Sequence, residues 1–243
     1  MTAREARTVL IVDGSATMLY YHGILLQRLE YAVLTATTPE EAMKIMERAV
    51  PSLILTAISF PSMDGVDFIK MIRNRERTKA VPVIVLTAEE DASVKSACIS
   101  LGCAAYLSKP VDASILYRTV QAAVERTPRE NIRISTSLKT VVGDEEAKGA
   151  RERIEYATEI SERGAYVRTL APKAKDSLIP IRIYIEDREI RSKAVVLYTH
   201  TMEGGAFREP GMGLKFLELS EKDREYLRSF INSLLVSDIV IGS

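Results

Sequence analysis

The sequence is poor in whatever would cross a membrane, cross-link a chain or attract a polyanion. No apolar run reaches the roughly 18 residues that a transmembrane helix requires, so no membrane partner is expected. The charged start, "MTAREARTVLIVDG", reaches only a strand's length of apolar residues, which argues against a signal peptide. Cysteine occurs twice, at Cys98 and Cys103, too seldom for a disulfide framework, and a reduced, cytoplasmic setting is expected. The two histidines, His22 and His200, lie far apart in sequence and give those thiols no partner for a metal site. Net charge is zero, with 14 basic and 14 acidic residues through Thr127 and 19 of each after it. A nucleic-acid-binding effector would carry a basic stripe on one half, and neither half does. Internal repeats and low-complexity tracts are absent as well.

What is there is a globular chain, 47% apolar and 27% charged over 243 residues, with length for two ordinary domains. The first half alternates continuous apolar runs with helix-period segments. Strands are expected at 8–14, 32–36, 52–58, 81–88 and 104–110, and helices at 15–30, 39–49, 65–76, 91–101 and 113–126. Unbroken apolarity predicts strands buried on both faces, as in a doubly wound α/β domain with a five-stranded parallel sheet. The ligand edge of such a sheet is the carboxyl end of its strands. After Pro128 the grammar changes to half-polar alternating strands separated by turn residues, "RISTSLKTVV", "RIEYATEI", "GAYVRTL", "IPIRIYIED", "IRSKAVVLYTH" and "GMGLKFLEL". This predicts an all-β antiparallel barrel or sheet, closed by a helix capped by Ser220 and running to about Leu235. Two domains follow, 1–126 and 127–243, and the final "SDIVIGS" has no placement.

Residues 8–126 resemble a CheY-like response-regulator receiver domain through "LIVDGS", "FPSMDG", "VIVLTA" and "YLSKP", in order and at suitable spacing. The resemblance implies a phosphoryl-accepting aspartate after the third strand and an acid pair after the first that helps to hold Mg²⁺. It also assigns a hydroxyl, an aromatic switch and a lysine to Thr87, Tyr106 and Lys109. Here the acceptor position holds Ala57, and Asp13 is followed by Gly14 where the second acid would stand. A methyl group is no nucleophile, and two of the oxygen ligands that Mg²⁺ needs are gone. Thr56 should point to the opposite sheet face, Ser59 already lies in the loop, and Asp64 reads as a turn cap. The domain is expected to be a degenerate pseudo-receiver without Mg²⁺, in which Asp13 pairs with Lys109. Its surviving surface, the face of the fourth helix, fifth strand and fifth helix around Tyr106, would support a homodimer or a partner.

In the second half "RENIR" places Arg129 and Arg133 before a strand, and "EISERG" places Glu159, Ser161 and Gly164 at a strand-to-turn junction. With the alternating strands and the final helix, residues 127–235 resemble a PilZ domain, whose signatures are R-x-x-x-R and [D/N]-x-S-x-x-G. The resemblance implies a small barrel that binds cyclic di-GMP. The residue types suit that ligand. Arginine's planar fork fits phosphate oxygens or a guanine edge, a carboxylate accepts from guanine N–H groups, and a hydroxyl and a glycine permit close approach. Glu159 departs from the signature by one methylene.

Taken together, the two resemblances imply a cytoplasmic signalling adaptor, not an enzyme, whose partners are cyclic di-GMP and a signalling or motility protein. Binding would order the 127–133 segment and change how the domains sit against each other. Two rival readings stand beside it: a PilZ-like docking protein that no longer binds nucleotide, and a working phosphorelay response regulator.

Overall fold

The structure is a computed structural model that describes residues 7–88, 91–125, 128, 131–143, 154–201 and 209–237. The chain divides into two compact units, Met1–Glu130 with Leu235–Ser243, and Asn131–Leu234. Arg129, of the expected arginine pair, lies outside the described residues, as does the tail 238–243.

The first unit holds five strands, β1 (Thr8–Val12), β2 (Ala32–Ala36), β3 (Leu53–Thr56), β4 (Val83–Thr87) and β5 (Ala105–Ser108). They pair in parallel in the order β2-β1-β3-β4-β5, so the sheet is doubly wound. The helices between and after them are α1 (Ala16–Arg28), α2 (Pro39–Arg48), α3 (Gly65–Arg73), α4 (Ala92–Ser100) and α5 (Ala113–Val124). The central runs β1, β3 and β4 are buried, as their unbroken apolarity predicts. By contrast β2 and β5, expected to be buried as well, are only partly covered because they form the two edges of the sheet. Leu10, Val12, Ile54, Val83 and Val85 face one core with Met43, Phe68, Ile72 and Cys98, and Val9 and Ile11 are buried too. Side chains cap all five helices at their amino ends: Ser15, Thr38, Asp64, Asp91 and Asp112 accept from backbone N–H groups of the first turn.

The "MDG" turn is fixed sterically. A Cβ on Gly65 would lie 2.2 Å from the Ile58 carbonyl oxygen, which accepts from the Gly65 N–H at 2.9 Å. Arg73 ties the far side together. Its guanidinium donates to the carbonyls of Leu101 at 2.9 Å, Val81 at 2.9 Å and Gly102 at 3.0 Å.

The second unit is a closed antiparallel barrel of β6 (Ile134–Val142), β7 (Ile154–Ser161), β8 (Gly164–Arg168), β9 (Leu178–Ile185), β10 (Arg188–His200) and β11 (Gly211–Phe216). Closure runs β10-β11-β8-β7-β6-β9 and returns through the β9–β10 hairpin, which leaves no open edge. Alternate residues point inward: Ala157, Ile160, Val167, Ile181, Ile183, Val196, Met212 and Leu214 are buried in the barrel. The closing helix α6 (Glu221–Val236) starts at Ser220, whose hydroxyl accepts from the Asp223 N–H at 3.1 Å, and it buries Leu227 and Ile231, four apart. Among the described residues no helix is long and apolar enough to cross a membrane.

Candidate functional site

At the carboxyl edge of the parallel sheet, the strand ends deliver Asp13 after β1, Ala57 after β3, Thr87 on β4 and Lys109 after β5. Asp13 is 7% exposed, and its two oxygens are both engaged. Oδ1 accepts from the Ser15 N–H at 2.9 Å, and Oδ2 takes the Lys109 ammonium. Lys109 follows Thr87 in register, its N–H donating to the Thr87 carbonyl at 2.8 Å, and the Lys109–Pro110 bond is cis. Ala57 is buried, with its N–H on the Val12 carbonyl at 2.8 Å. Gly14 is different: a Cβ added there meets nothing within 4 Å, so this position would hold a side chain that the sequence does not supply.

The neighbouring oxygen-bearing residues are committed elsewhere. The Thr56 hydroxyl is buried and donates to the Ala57 carbonyl at 2.8 Å, while Asp64 caps α3 through the Val66 N–H at 2.7 Å. Tyr106 is half-buried against the apolar core, with the Lys95 ammonium 5.9 Å from its ring centroid. This donor set does not suit Mg²⁺, which needs several hard oxygen ligands in near-octahedral array. Among the described residues, Asp13 is the carboxylate at the strand ends, and the Lys109 ammonium lies on it.

Sequence reasoning did not bring His22 to this site. It lies on α1, 3% exposed, and burial lowers its pKa to about 4, helped by the Lys109 charge and opposed by Asp13 and the Met18 backbone. The imidazole is therefore neutral and coupled to the ion pair. A histidine within an apolar helical stripe carries no local signal of that coupling.

On the barrel, the second set of expected residues falls into two classes. Glu159 and Arg133 are half-exposed and meet across β6 and β7, with Arg133 Nη1 3.8 Å from Glu159 Oε2. Glu159 reaches the outer face because β7 carries a bulge between Ala157 and Glu159, which switches the inside–outside alternation. Ser161 and Gly164 serve the barrel wall. The buried Ser161 hydroxyl donates to the Gly164 carbonyl at 3.1 Å across the Glu162–Arg163 turn. A Cβ on Gly164 would sit 2.1 Å from the Leu214 carbonyl oxygen, so the glycine is needed for close approach of β8 to β11.

The same outer face continues beyond these residues. In register, Tyr166 lies opposite Glu159 and Gly213, and Gly211 lies opposite Arg168 and His200. Tyr166 and Tyr198 stack at 6.2 Å between centroids, and Tyr198 and His200 are tilted at 5.3 Å.

A family model described as response regulator receiver domain matches residues 9–121, and one described as PilZ domain matches residues 124–233. The chain is similar to the alkaline phosphatase synthesis transcriptional regulatory protein PhoP of Bacillus subtilis, 31% identical over 124 residues. That alignment covers 50% of this chain and 50% of the relative. It is similar to the probable chemotaxis protein CheY of Rhizobium etli, 30% identical over 50% of this chain and 95% of the relative. It is also similar to protein PilH of Pseudomonas aeruginosa, 28% identical over 48% of this chain and 96% of the relative. The chain thus spans half the length of the first of these and nearly all of the other two.

Proposed function

Since this chain belongs to the response regulators, with a receiver domain followed by a PilZ domain, we propose that it is a signalling adaptor that binds cyclic di-GMP at Arg129, Arg133 and Glu159 and is not switched by phosphorylation. Its output is contact with another protein.

The observation that carries the receiver half of this reading is Lys109 lying on Asp13 beside Ala57. In a working receiver, that lysine would serve an acceptor carboxylate. Here no carboxylate stands at 57, and the ammonium is neutralised by the remaining acid. The PilZ half rests on the half-exposed Arg133–Glu159 pair on the outer wall. An exposed ion pair at 3.8 Å contributes only about 0–1 kcal/mol, so a ligand can replace it at little cost. Arg133 would then give its fork to phosphate or to a guanine edge, and Glu159 would accept from guanine N–H groups.

One observation favours the docking reading instead. Ser161 and Gly164 are fully accounted for by the turn and by the approach of β8 to β11. Their presence is therefore weak support for a ligand. Isothermal titration of cyclic di-GMP into the full chain separates the two. Saturable heat that Arg133→Ala removes supports the nucleotide reading. Silence up to millimolar ligand leaves a protein-docking module. Acetyl-phosphate labelling of the wild type tests the receiver half, and incorporation at any residue of the sheet edge would defeat the unphosphorylated reading.

A further inference from the structure

The outer wall beside Glu159 is floored by glycine and covered by aromatic rings. Gly211 and Gly213 alternate on β11, with Met212 between them pointing into the barrel. A Cβ on Gly213 would lie 2.4 Å from the Tyr198 ring, and one on Gly211 would lie 2.4 Å from the Val167 carbonyl oxygen and 2.9 Å from the Tyr166 ring. The two rings therefore lie against β11, in space that a side chain at 211 or 213 would enter. Their planes differ by only 24°, and His200 completes the group at 5.3 Å from Tyr198. Tyr166 is 8% exposed and its hydroxyl is anchored on the Glu209 carbonyl, whereas Tyr198 is 36% exposed. A second bulge, between Val196 and Tyr198, brings Tyr198 to this face.

A rigid, half-open aromatic surface beside a cation and a carboxylate suits a flat heteroaromatic ring. We infer that Tyr198 and His200, backed by Tyr166 and floored by Gly211 and Gly213, form a stacking platform for one purine base of the bound nucleotide. This deepens the nucleotide reading above and rests on it. Position supports it: Tyr166 is one strand from Glu159, and Tyr198 is three, a span of about 14 Å at some 4.8 Å per strand. A dinucleotide with one base at Arg133 and Glu159 has its second base within reach of that span. Arg168 projects from the same face, with its guanidinium 5.9 Å from the Tyr156 ring centroid and paired with Glu209 at 3.1 Å, so it flanks the platform without adding a net charge. Stacking is indifferent to a base's hydrogen-bonding edge, so the platform adds affinity and the Arg133–Glu159 end selects guanine.

The chain has no tryptophan, which allows a direct test. In the full-length Tyr198→Trp variant, the one indole would sit on the platform, and a stacked guanine should quench its emission with the midpoint that calorimetry gives. Tyr184→Trp, on the outer face of β9, serves as the control and should not quench. Tyr198→Ala should weaken binding at least fivefold, and Tyr198→Phe should stay within about threefold of wild type. If the wild type binds cyclic di-GMP but the indole at 198 is not quenched and Tyr198→Ala binds as tightly, the platform is wrong and the nucleotide reading stands. If the wild type does not bind at millimolar ligand, the nucleotide reading fails and the platform falls with it.

Discussion

Lys109 and Asp13, 96 residues apart in sequence, form the ion pair that closes the carboxyl edge of the parallel sheet. Their side chains are 18% and 10% exposed, so each charge depends on the other for solvation. Removing one partner of a fully buried pair costs about 3–5 kcal/mol. With this residual exposure, Lys109→Met or Asp13→Asn should each cost about 2–3 kcal/mol. The double variant Asp13→Asn with Lys109→Met should cost clearly less than the sum of the single changes, because it leaves no orphan charge. Urea unfolding of the four proteins measures this, and simple additivity would contradict the coupling.

The space at Gly14 gives a gain-of-function prediction. A Cβ there meets nothing within 4 Å, so Asp can be introduced, and Ala57→Asp would restore a carboxylate to the end of β3. The variant Gly14→Asp with Ala57→Asp should bind Mg²⁺ and take label from acetyl phosphate, while either single change should do so poorly. Labelling of the wild type at a comparable rate would show that another residue serves as acceptor.

His22 makes the receiver acid-sensitive. Its imidazole titrates near 4 when folded and near 6.5 when unfolded, so between those values the unfolded chain holds more protons. Its contribution is fully present above about pH 6.5 and is lost as the pH falls toward 4, at most on the order of 3 kcal/mol. Chemical denaturation from about pH 7 down to pH 4.5 should show that loss in the wild type. His22→Gln, which cannot titrate there, should flatten it.

Much of this architecture is legible in the sequence, and the reasons for the exceptions are local. Unbroken runs such as 83–86 in β4 identify buried parallel strands, since nothing polar interrupts them. Alternation in β9 identifies the barrel wall, because Ile179, Ile181, Ile183 and Ile185 all face inward. The β9–β10 hairpin begins β10 at Arg188, two residues before the expected start. Its turn residue Glu186 adopts φ 52°, and glutamate gives no sign of that conformation. The bulges before Glu159 and Tyr198 are hidden for a related reason. Alternation fixes a side chain's face only when no extra residue intervenes, and nothing in "EYATEI" or "AVVLYTH" marks the insertion. The aromatic platform was therefore invisible until register placed Tyr166, Tyr198 and two glycines together.

Gly164 offers a stability prediction that needs no ligand. A methyl there would meet the Leu214 carbonyl at 2.1 Å, and backbone on both strands must shift to admit it. Gly164→Ala should destabilise the barrel by about 1–3 kcal/mol, the usual cost of overpacking, and lower its melting temperature accordingly. A variant as stable as wild type would show that β8 and β11 can separate there, and the glycine would need a ligand-based explanation.

Arg133 and Glu159 carry the most discriminating prediction. Their mutual attraction is weak because both are half-exposed, so affinity depends on what each gives the ligand. Arg133→Ala removes a charge-assisted bond of about 1.5–3 kcal/mol, roughly ten- to a hundredfold in cyclic di-GMP affinity. Because arginine faces an anion, wild-type binding should also weaken as salt rises, and Arg133→Ala should flatten that dependence. Glu159→Asp shortens the acceptor by one methylene and restores the family signature. If the glutamate overshoots the guanine N–H groups, the aspartate variant should bind more tightly than wild type. If the bulge at Ala157 already sets the longer side chain at the right height, the aspartate should bind more weakly, by up to about tenfold. Equal affinities would show that position 159 does not touch the base. Recognition would then rest on Arg133 with the stacked rings, and the carboxylate's part would be only to orient the arginine before the ligand arrives.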